Sequence, residues 1–585
     1  MSKIAFTPNA NGSGVFTLAS PNSNTNRTLT FPDESGTLLT SLGGTTGNLT
    51  VSGNLSVDGG TIKLDGNYPN GVNNVALGNT ALDTASGSNG YSVAIGTNAL
   101  TAMTSGGSNV AVGYASSAAM TTGGNNVSVG SEALDATTTA SNNVAVGSAA
   151  LGANTTASNN TAVGYQSLNA NTTGSSLVAV GKGALDANTT ASNSTAVGTD
   201  ALGANTTGSD NTALGYAALR DNTTASNNTA VGYFALEANT TGTENVAVGK
   251  SAIAVNTTGS YNTSVGASSL DANTTGGKNS ALGREALTKN TTGSLNTGLG
   301  YEALKENTTA SSNTAVGYQA GVSNTTGAFN TFVGKDSGLS ITTTSNCTFV
   351  GEYSGRSTTG GGNTFIGQGA GTAVTSGGNN TILGQYTGNQ GGLDIRTSSN
   401  NIVLSDGDGA IRVLVDSSAN FLVGKVSASI DVDGFMVHNG DYINSTNTSG
   451  SAAYFNRKGS DGDIVNFQND GSSVGSISVS GSSTAYNTSS DYRLKENVDY
   501  TWDATTRLKQ LKPARFNFIA DADTTVDGFL AHEAQAVVPE SVTGTHNEVD
   551  DDGNAVMQGI DQSKLVPLLV KTIQELEARI TALEA

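Results

Sequence analysis

A serine hydroxyl and a lysine amine five residues apart, Ser490 and Lys495, are the pair in this chain best suited to breaking a peptide bond. A serine hydroxyl is a poor nucleophile until a base takes its proton, and a lysine can be that base only when neutral. Desolvation or nearby positive charge brings a lysine towards neutrality. Arg493 would push Lys495 that way, Glu496 would oppose it, and Asp491 sits beside the serine. His438 and His546 have no partner at a chemical spacing and read as surface residues. Surface Ser and Lys pairs are common, so the surroundings decide what this one does.

Those surroundings change abruptly at Ser490. Residues 490–585 hold 9 of the 26 Lys and Arg and 17 of the 46 Asp and Glu, so charge is far denser there than upstream. The only Trp, Trp502, and two of the three His also lie beyond this point. A low-charge, repetitive chain thus ends in an ordinary globular domain, with the hydroxyl and the amine at the junction. That arrangement suggests a removable C-terminal module.

Composition narrows the rest. At 585 residues the chain exceeds one domain. Its 76 glycines suggest low complexity, but a hydrophobic content of 36% is too high for disorder. The opening Met1-Ser2-Lys3-Ile4-Ala5-Phe6 is not a basic patch followed by an apolar run, so no secretory signal is expected. No run approaches ~18 apolar residues, so no membrane insertion is expected. A lone Cys347 excludes an internal disulfide framework and a Cys-rich metal site, and its neighbours place it in a buried strand. No metal or other cofactor is expected. A net charge of −20 argues against a nucleic-acid-binding surface, which needs clustered cations.

The glycines are periodic. Between Val75 and Gly384 one phrase recurs, as in Asn143-Val144-Ala145-Val146-Gly147-Ser148-Ala149-Ala150-Leu151-Gly152-Ala153-Asn154-Thr155-Thr156. From Gly96 to Gly351 its glycine returns every 17 residues, and eleven Asn-Thr-Thr triplets from Asn154 to Asn324 keep the register. Val144 and Val146 alternate about a small Ala, the period of a strand. Leu151 starts a second short apolar stretch, and Asn-Thr-Thr makes the return turn. Each repeat therefore reads as one coil with two short strands, its valines facing inward. No Pro occurs between Asn70 and Lys512, as an uninterrupted ladder requires. The pattern predicts a mainly β parallel solenoid whose core, two apolar residues and a Leu per coil, is thin for one chain and fits a homotrimer. The triplets match the glycosylation pattern but read as stacked turns with Asn bonding along the ladder. Tyr165, Tyr216, Tyr233, Tyr301 and Tyr318 follow the repeat glycine and read as an aromatic ladder rather than a sugar platform.

Three resemblances add expectations. The repeats resemble the Val-Ala-Ile-Gly head repeats of trimeric autotransporter adhesins, which implies β-rolls packed in threes; an intertwined triple β-helix is the alternative. Thr30-Phe31-Pro32-Asp33-Glu34-Ser35-Gly36-Thr37-Leu38 and Tyr454-Phe455-Asn456-Arg457-Lys458-Gly459-Ser460-Asp461-Gly462 look like segments of phage tail fibres. The stretch from Ser490 to Val498 resembles the start of the endosialidase-type intramolecular chaperones. Leu508–Phe518, Asp527–Gln535 and Ser563–Lys571 follow in the same order, with His532 where a Gln is expected. That family assists trimerisation of a β-rich fibre and then cuts itself off at a Ser-Lys dyad. Carried over, the nucleophile is Ser490, the base Lys495 and the broken bond Ser489–Ser490, with Asp491, Arg493, His532 and Glu533 as possible organisers.

Four regions follow: 1–70 for attachment to a virion tail or adaptor protein, 71–384 as the solenoid shaft, 385–489 as a distal β-rich stem or tip, and 490–585 as an α+β chaperone. Near its end Pro567 fits the first turn of a helix starting near Ser563. Leu569, Ile573, Leu576, Ile580 and Leu583 mark a short coiled-coil seam on it. The reading is a homotrimeric phage tail fibre, made in the host cytoplasm and carried on the virion, binding a host glycan or protein through receptor-binding residues the sequence does not identify. The rivals are a polysaccharide-cleaving tailspike, for which acids such as Asp135, Asp186, Glu237 and Asp271 come singly rather than in pairs, and a bacterial trimeric adhesin.

Overall fold

The computed structural model describes residues 73–84, 90–440 and 442–585; the attachment region assigned to 1–70 lies outside them. Two compact units emerge, divided between Thr448 and Ser449.

The first unit is a parallel β-solenoid. Nineteen three-residue strands, from Val75–Leu77 to Thr381–Leu383, each pair in parallel with the strand of the next coil. Val144 pairs with Thr161 and Val146 with Val163, one 17-residue repeat later. Every coil therefore stacks on its own chain's neighbour, which makes the shaft a single-chain solenoid rather than an intertwined helix. With one strand spacing of ~4.8 Å per coil the stack rises on the order of 85 Å. Backbone bonds alternate between neighbours: Val144 N–H donates to Asn160 O and Gly147 N–H to Val129 O, both at 2.8 Å. At Gly147, φ is +142° and a Cβ would lie 2.2 Å from Gly164 O, so only glycine allows the coils to approach.

Two expectations about the coil are corrected. The strand's phase is opposite to the one expected: Ala145 is fully buried, whereas Val144 is half-buried and Val146 is 36% exposed. Across the coil Leu151 fills the interior, so the core is a column of Ala facing a column of Leu. The second strand is absent. The Leu151 segment is a chain of turns in which Ala149 and Leu151 take φ of +56° and +52°. These left-handed residues remain because the neighbouring coils hold their amides: Leu151 N–H donates to Ser167 O at 3.0 Å and Ala149 N–H to Ser131 O at 2.9 Å.

Buried asparagines tie the coils together. Asn171 Nδ2 donates to Asn154 Oδ1 (3.1 Å) and to Gly174 O in its own turn (3.0 Å), and the pattern repeats upward. A second column precedes the strand, where Asn143 N–H donates to Asn126 Oδ1 at 3.0 Å. Near the end of the stack the core changes composition without changing volume. Phe332, Phe349 and Phe365 replace the strand Ala with successive ring centres 5.0–5.8 Å apart, while Gly338, Gly355 and Gly371 replace the Leu opposite. Cys347 is buried in the Asn column that precedes the strand, where its N–H donates to Asn330 Oδ1 at 2.9 Å, and burial raises its thiol pKa. Outside, Tyr216 stacks on Tyr233 at 5.4 Å and Tyr301 on Tyr318 at 5.3 Å. The sheet continues through Ile402–Ser405 and ends in four antiparallel strands, Ile411–Val415, Phe421–Val423, Gly434–Val437 and Ile443–Thr446.

The second unit begins with an antiparallel meander, Gly462–Asn469, Ser472–Ser480 and Ser483–Thr488. Helix Ala504–Leu508, the hairpin Ala514–Phe518 with Asp521–Gly528, helix Ala531–Gln535 and the terminal helix Val566–Glu584 follow. A 3-10 turn, Gln562–Leu565, leads into that last helix, and Pro567 lies in its first turn. Ala504, Val538, Leu565 and Leu568 form a small core with Trp502 and Phe529 against it.

Candidate functional site

The junction at Ser490 follows the last strand of the meander directly. Ser483–Thr488 ends one residue before Ser489, whose N–H donates to Val474 O at 3.2 Å and keeps the chain on the sheet. Two residues later the backbone turns into a 3-10 helix, Tyr492–Leu494, because the Asp491 carboxylate accepts from Arg493 N–H at 2.8 Å. This turn carries Lys495 back over Ser490, and Lys495 Nζ donates to Ser490 Oγ at 2.8 Å. Both side chains are open to solvent in the single chain.

Arg493 is engaged elsewhere. Its guanidinium grips Asp491 with two bonds of 2.9 and 2.7 Å, and this pair lowers the Asp491 carboxyl pKa. Its charge is therefore matched by Asp491, and Arg493 holds the turn rather than facing the lysine. Among the described residues neither His532 nor Glu533 hydrogen-bonds to Ser490 or Lys495. His532 stacks on His546 with ring centres 4.5 Å apart, and Glu533 pairs with Lys512 at 3.2 Å.

The stretch after the dyad is anchored by the terminal helix. Lys571 Nζ donates to Tyr500 O at 3.0 Å, and the Glu575 carboxylate accepts from Ala504 N–H, Thr505 N–H and Thr505 Oγ. Sequence reasoning missed these anchors, because residues 71 apart carry no local pattern. It also missed a cavity of about 400 Å³ that Thr488 lines together with Trp502; the solitary tryptophan was the available signal.

On the shaft, burial raises the carboxyl pKa of Asp135, Asp186 and Asp271. They lie several coils from one another, although the neighbouring carboxylates of Asp200 and Glu132 add to the rise at Asp186 and Asp135, and Glu237 is held by Arg220 at 2.6 Å. Among the described residues no group of three or more His, Cys, Asp or Glu is arranged to hold a metal ion.

Residues 490–543 match the family model described as Chaperone of endosialidase. The match opens on Ser490 itself and stops before the terminal helix. No curated protein and no solved structure matches the chain.

Proposed function

We propose that this chain is the precursor of a homotrimeric phage tail fibre and that residues 490–585 assist its assembly and then release themselves. The observation that carries the release is the 2.8 Å bond from Lys495 Nζ to Ser490 Oγ at the first residue of the family match. Lys495, once neutral, takes the Ser490 proton as Oγ attacks the Ser489 carbonyl carbon. The Ser489–Ser490 C–N bond breaks and the leaving amine of Ser490 receives that proton. The resulting ester between Ser489 and Ser490 Oγ is hydrolysed by water, giving a free Ser489 carboxylate and restoring the hydroxyl. Both side chains are exposed in one chain, so a neighbouring copy closing over them supplies the desolvation that a lysine base requires.

The homotrimer is supported by apolar surface that one chain leaves open. The third strand residue is Val, Leu or Ile in every coil from Leu77 to Leu383, and Leu214 is 47% exposed. On the terminal helix Leu569, Ile573, Leu576, Ile580 and Leu583 are all exposed as an unpaired seam. A continuous apolar ridge of this length is covered by partner chains rather than left to water. The released fibre, 1–489, then carries the host-facing role on the virion, joined to a tail or adaptor protein through 1–70 and binding a host glycan or protein.

Mass spectrometry of the denatured chain after expression tests the central step. Wild type is expected as two fragments parted between Ser489 and Ser490, and Ser490→Ala and Lys495→Met as intact chains of unchanged trimer content. An intact wild-type chain in a well-folded trimer would sink the self-release.

A further inference from the structure

The half-open cavity beside the junction is lined by Thr488, Trp502, Arg507, Glu540, Pro567 and Leu568 among others, and has a volume of about 400 Å³. Its walls come from both sides of the bond that the proposed self-release breaks. Thr488 is the last residue of the final fibre strand, whereas the remaining residues named here belong to the chaperone region. The far wall is held by hydrogen bonds and core packing. Arg507 donates to Val537 O at 2.9 Å and to Glu540 at 3.0 Å, and Leu568 belongs to the small core that Trp502 packs against. Thr488 itself is exposed and is paired in the sheet with Gly475.

We propose that this cavity is the seat for the residue preceding Ser489, and that Trp502 is a positioning residue for self-cleavage. The inference rests on the self-release reading. Ser489 is tied on its amide side to Val474 O, and Ser490 is tied to Lys495. The orientation of the Ser489 carbonyl between them depends on where Thr488 sits. Seating Thr488 against Trp502 fixes the carbonyl carbon in front of Ser490 Oγ, the kind of placement whose loss slows a reaction severely.

The experiment follows cleavage of the full chain over time in Thr488→Gly, Trp502→Ala, Trp502→Phe and the Thr488→Gly/Trp502→Ala pair. Each is also made in a Ser490→Ala background, where trimer content is read apart from cleavage. Thr488→Gly and Trp502→Ala are expected to slow cleavage on the order of 10- to 100-fold with trimer content kept. Trp502→Phe recovers most of the rate, and the pair is no slower than Trp502→Ala alone, because both changes empty the same seat. A merely structural tryptophan would instead add its effect to that of Thr488→Gly, and such additivity overturns the proposal. Wild-type speed in Thr488→Gly overturns it too, and decides the matter if Trp502→Ala does not assemble. A wild-type chain that never cleaves defeats the self-release reading and this inference together; a cleaving wild type with an indifferent Thr488→Gly defeats this inference only.

Discussion

Asn239 shows what holds one coil to the next at the level of single atoms. Its Nδ2 donates to Asn222 Oδ1 at 2.8 Å and to Gly242 O at 2.9 Å, while its Oδ1 accepts from Asn256 Nδ2 at 2.8 Å. Asn239→Ala leaves Asn222 Oδ1 and one N–H of Asn256 Nδ2 unmatched, each costing about 1–3 kcal/mol, while Gly242 O keeps its bond from Asn228 Nδ2. Asn324 closes the ladder: Ile341 occupies the next position, and the Asn324 Oδ1 already lacks a partner. Asn324→Ala is therefore expected to cost about 1–3 kcal/mol less than Asn239→Ala. Hydrogen exchange of amides in the adjoining coils measures the two losses locally, and equal losses would contradict the ladder as the source of cohesion. The recurrence of Asn-Thr-Thr made this ladder legible in the sequence. The same burial removes these asparagines as glycan acceptors. Ser490 and Lys495 were legible only through the phrases around them, since the turn that joins them depends on Asp491 and Arg493.

Among elements, the coil was read correctly in period and wrongly in phase. Val-Ala-Val alternates equally well with either set inside, and assigning the larger residues to the core is the ordinary choice. A 17-residue coil is too narrow for that choice: with a Leu entering from the opposite side, the strand offers a small residue beneath it, Ala in most coils and Ser128, Ser264 or Gly298 in others. The left-handed leucines were invisible for a related reason, because their φ is imposed by neighbouring coils and not by the local sequence. The Phe and Gly exchange near Cys347 tests this account of the core. A Cβ at Gly355 would lie 2.5 Å from the Phe349 ring, so Gly355→Leu overpacks the coil and costs about 1–3 kcal/mol. The pair Phe349→Ala/Gly355→Leu rebuilds the Ala and Leu core of Leu151's coil and is expected to recover most of that loss in thermal unfolding. A double variant no better than the single one would mean the coils are not interchangeable.

The terminal helix gives a second test at this scale. Thr505 Oγ, followed by the amides of Ala504 and Thr505, holds the Glu575 carboxyl pKa below its ordinary 4.5. A depressed carboxyl contributes stability that is complete above about pH 4.5 and is lost as pH falls through its folded value. Glu575→Gln keeps the volume but removes the charge. The gap in unfolding temperature between wild type and Glu575→Gln should be widest near neutral pH and shrink below pH 4.5. Fluorescence of Trp502, next in the chain to the capped helix, follows this region within the whole protein. A gap that stays constant with pH would show that the contact matters by shape alone.

For the whole molecule, the regularity that builds the shaft also creates its hazard. Each coil presents nearly the same ridge, with Val or Leu at the same place every 17 residues. Three chains meeting along such ridges could pair one coil out of step and lose contacts only at the ends, so repetition specifies interchain register weakly. Non-local parallel pairing is also slow, and its unpaired edges invite aggregation while it proceeds. A non-repeating module that trimerises at the C-terminus removes both problems, because it fixes the step and raises the local concentration of the three chains. Residues 490–585 have the required character: dense charge, no repeat and an exposed helical seam. A chain ending at Ser489 is accordingly expected to accumulate as aggregate, whereas the full chain yields assembled 1–489 after self-release. Once denatured, that released fibre should not reassemble, while Ser490→Ala, which keeps the module, should. Its persistence is then set by the height of the unfolding barrier rather than by an equilibrium. Refolding yields of the three proteins, read by light scattering, distinguish these outcomes, and unaided assembly of 1–489 in correct step would show that the shaft carries its own register.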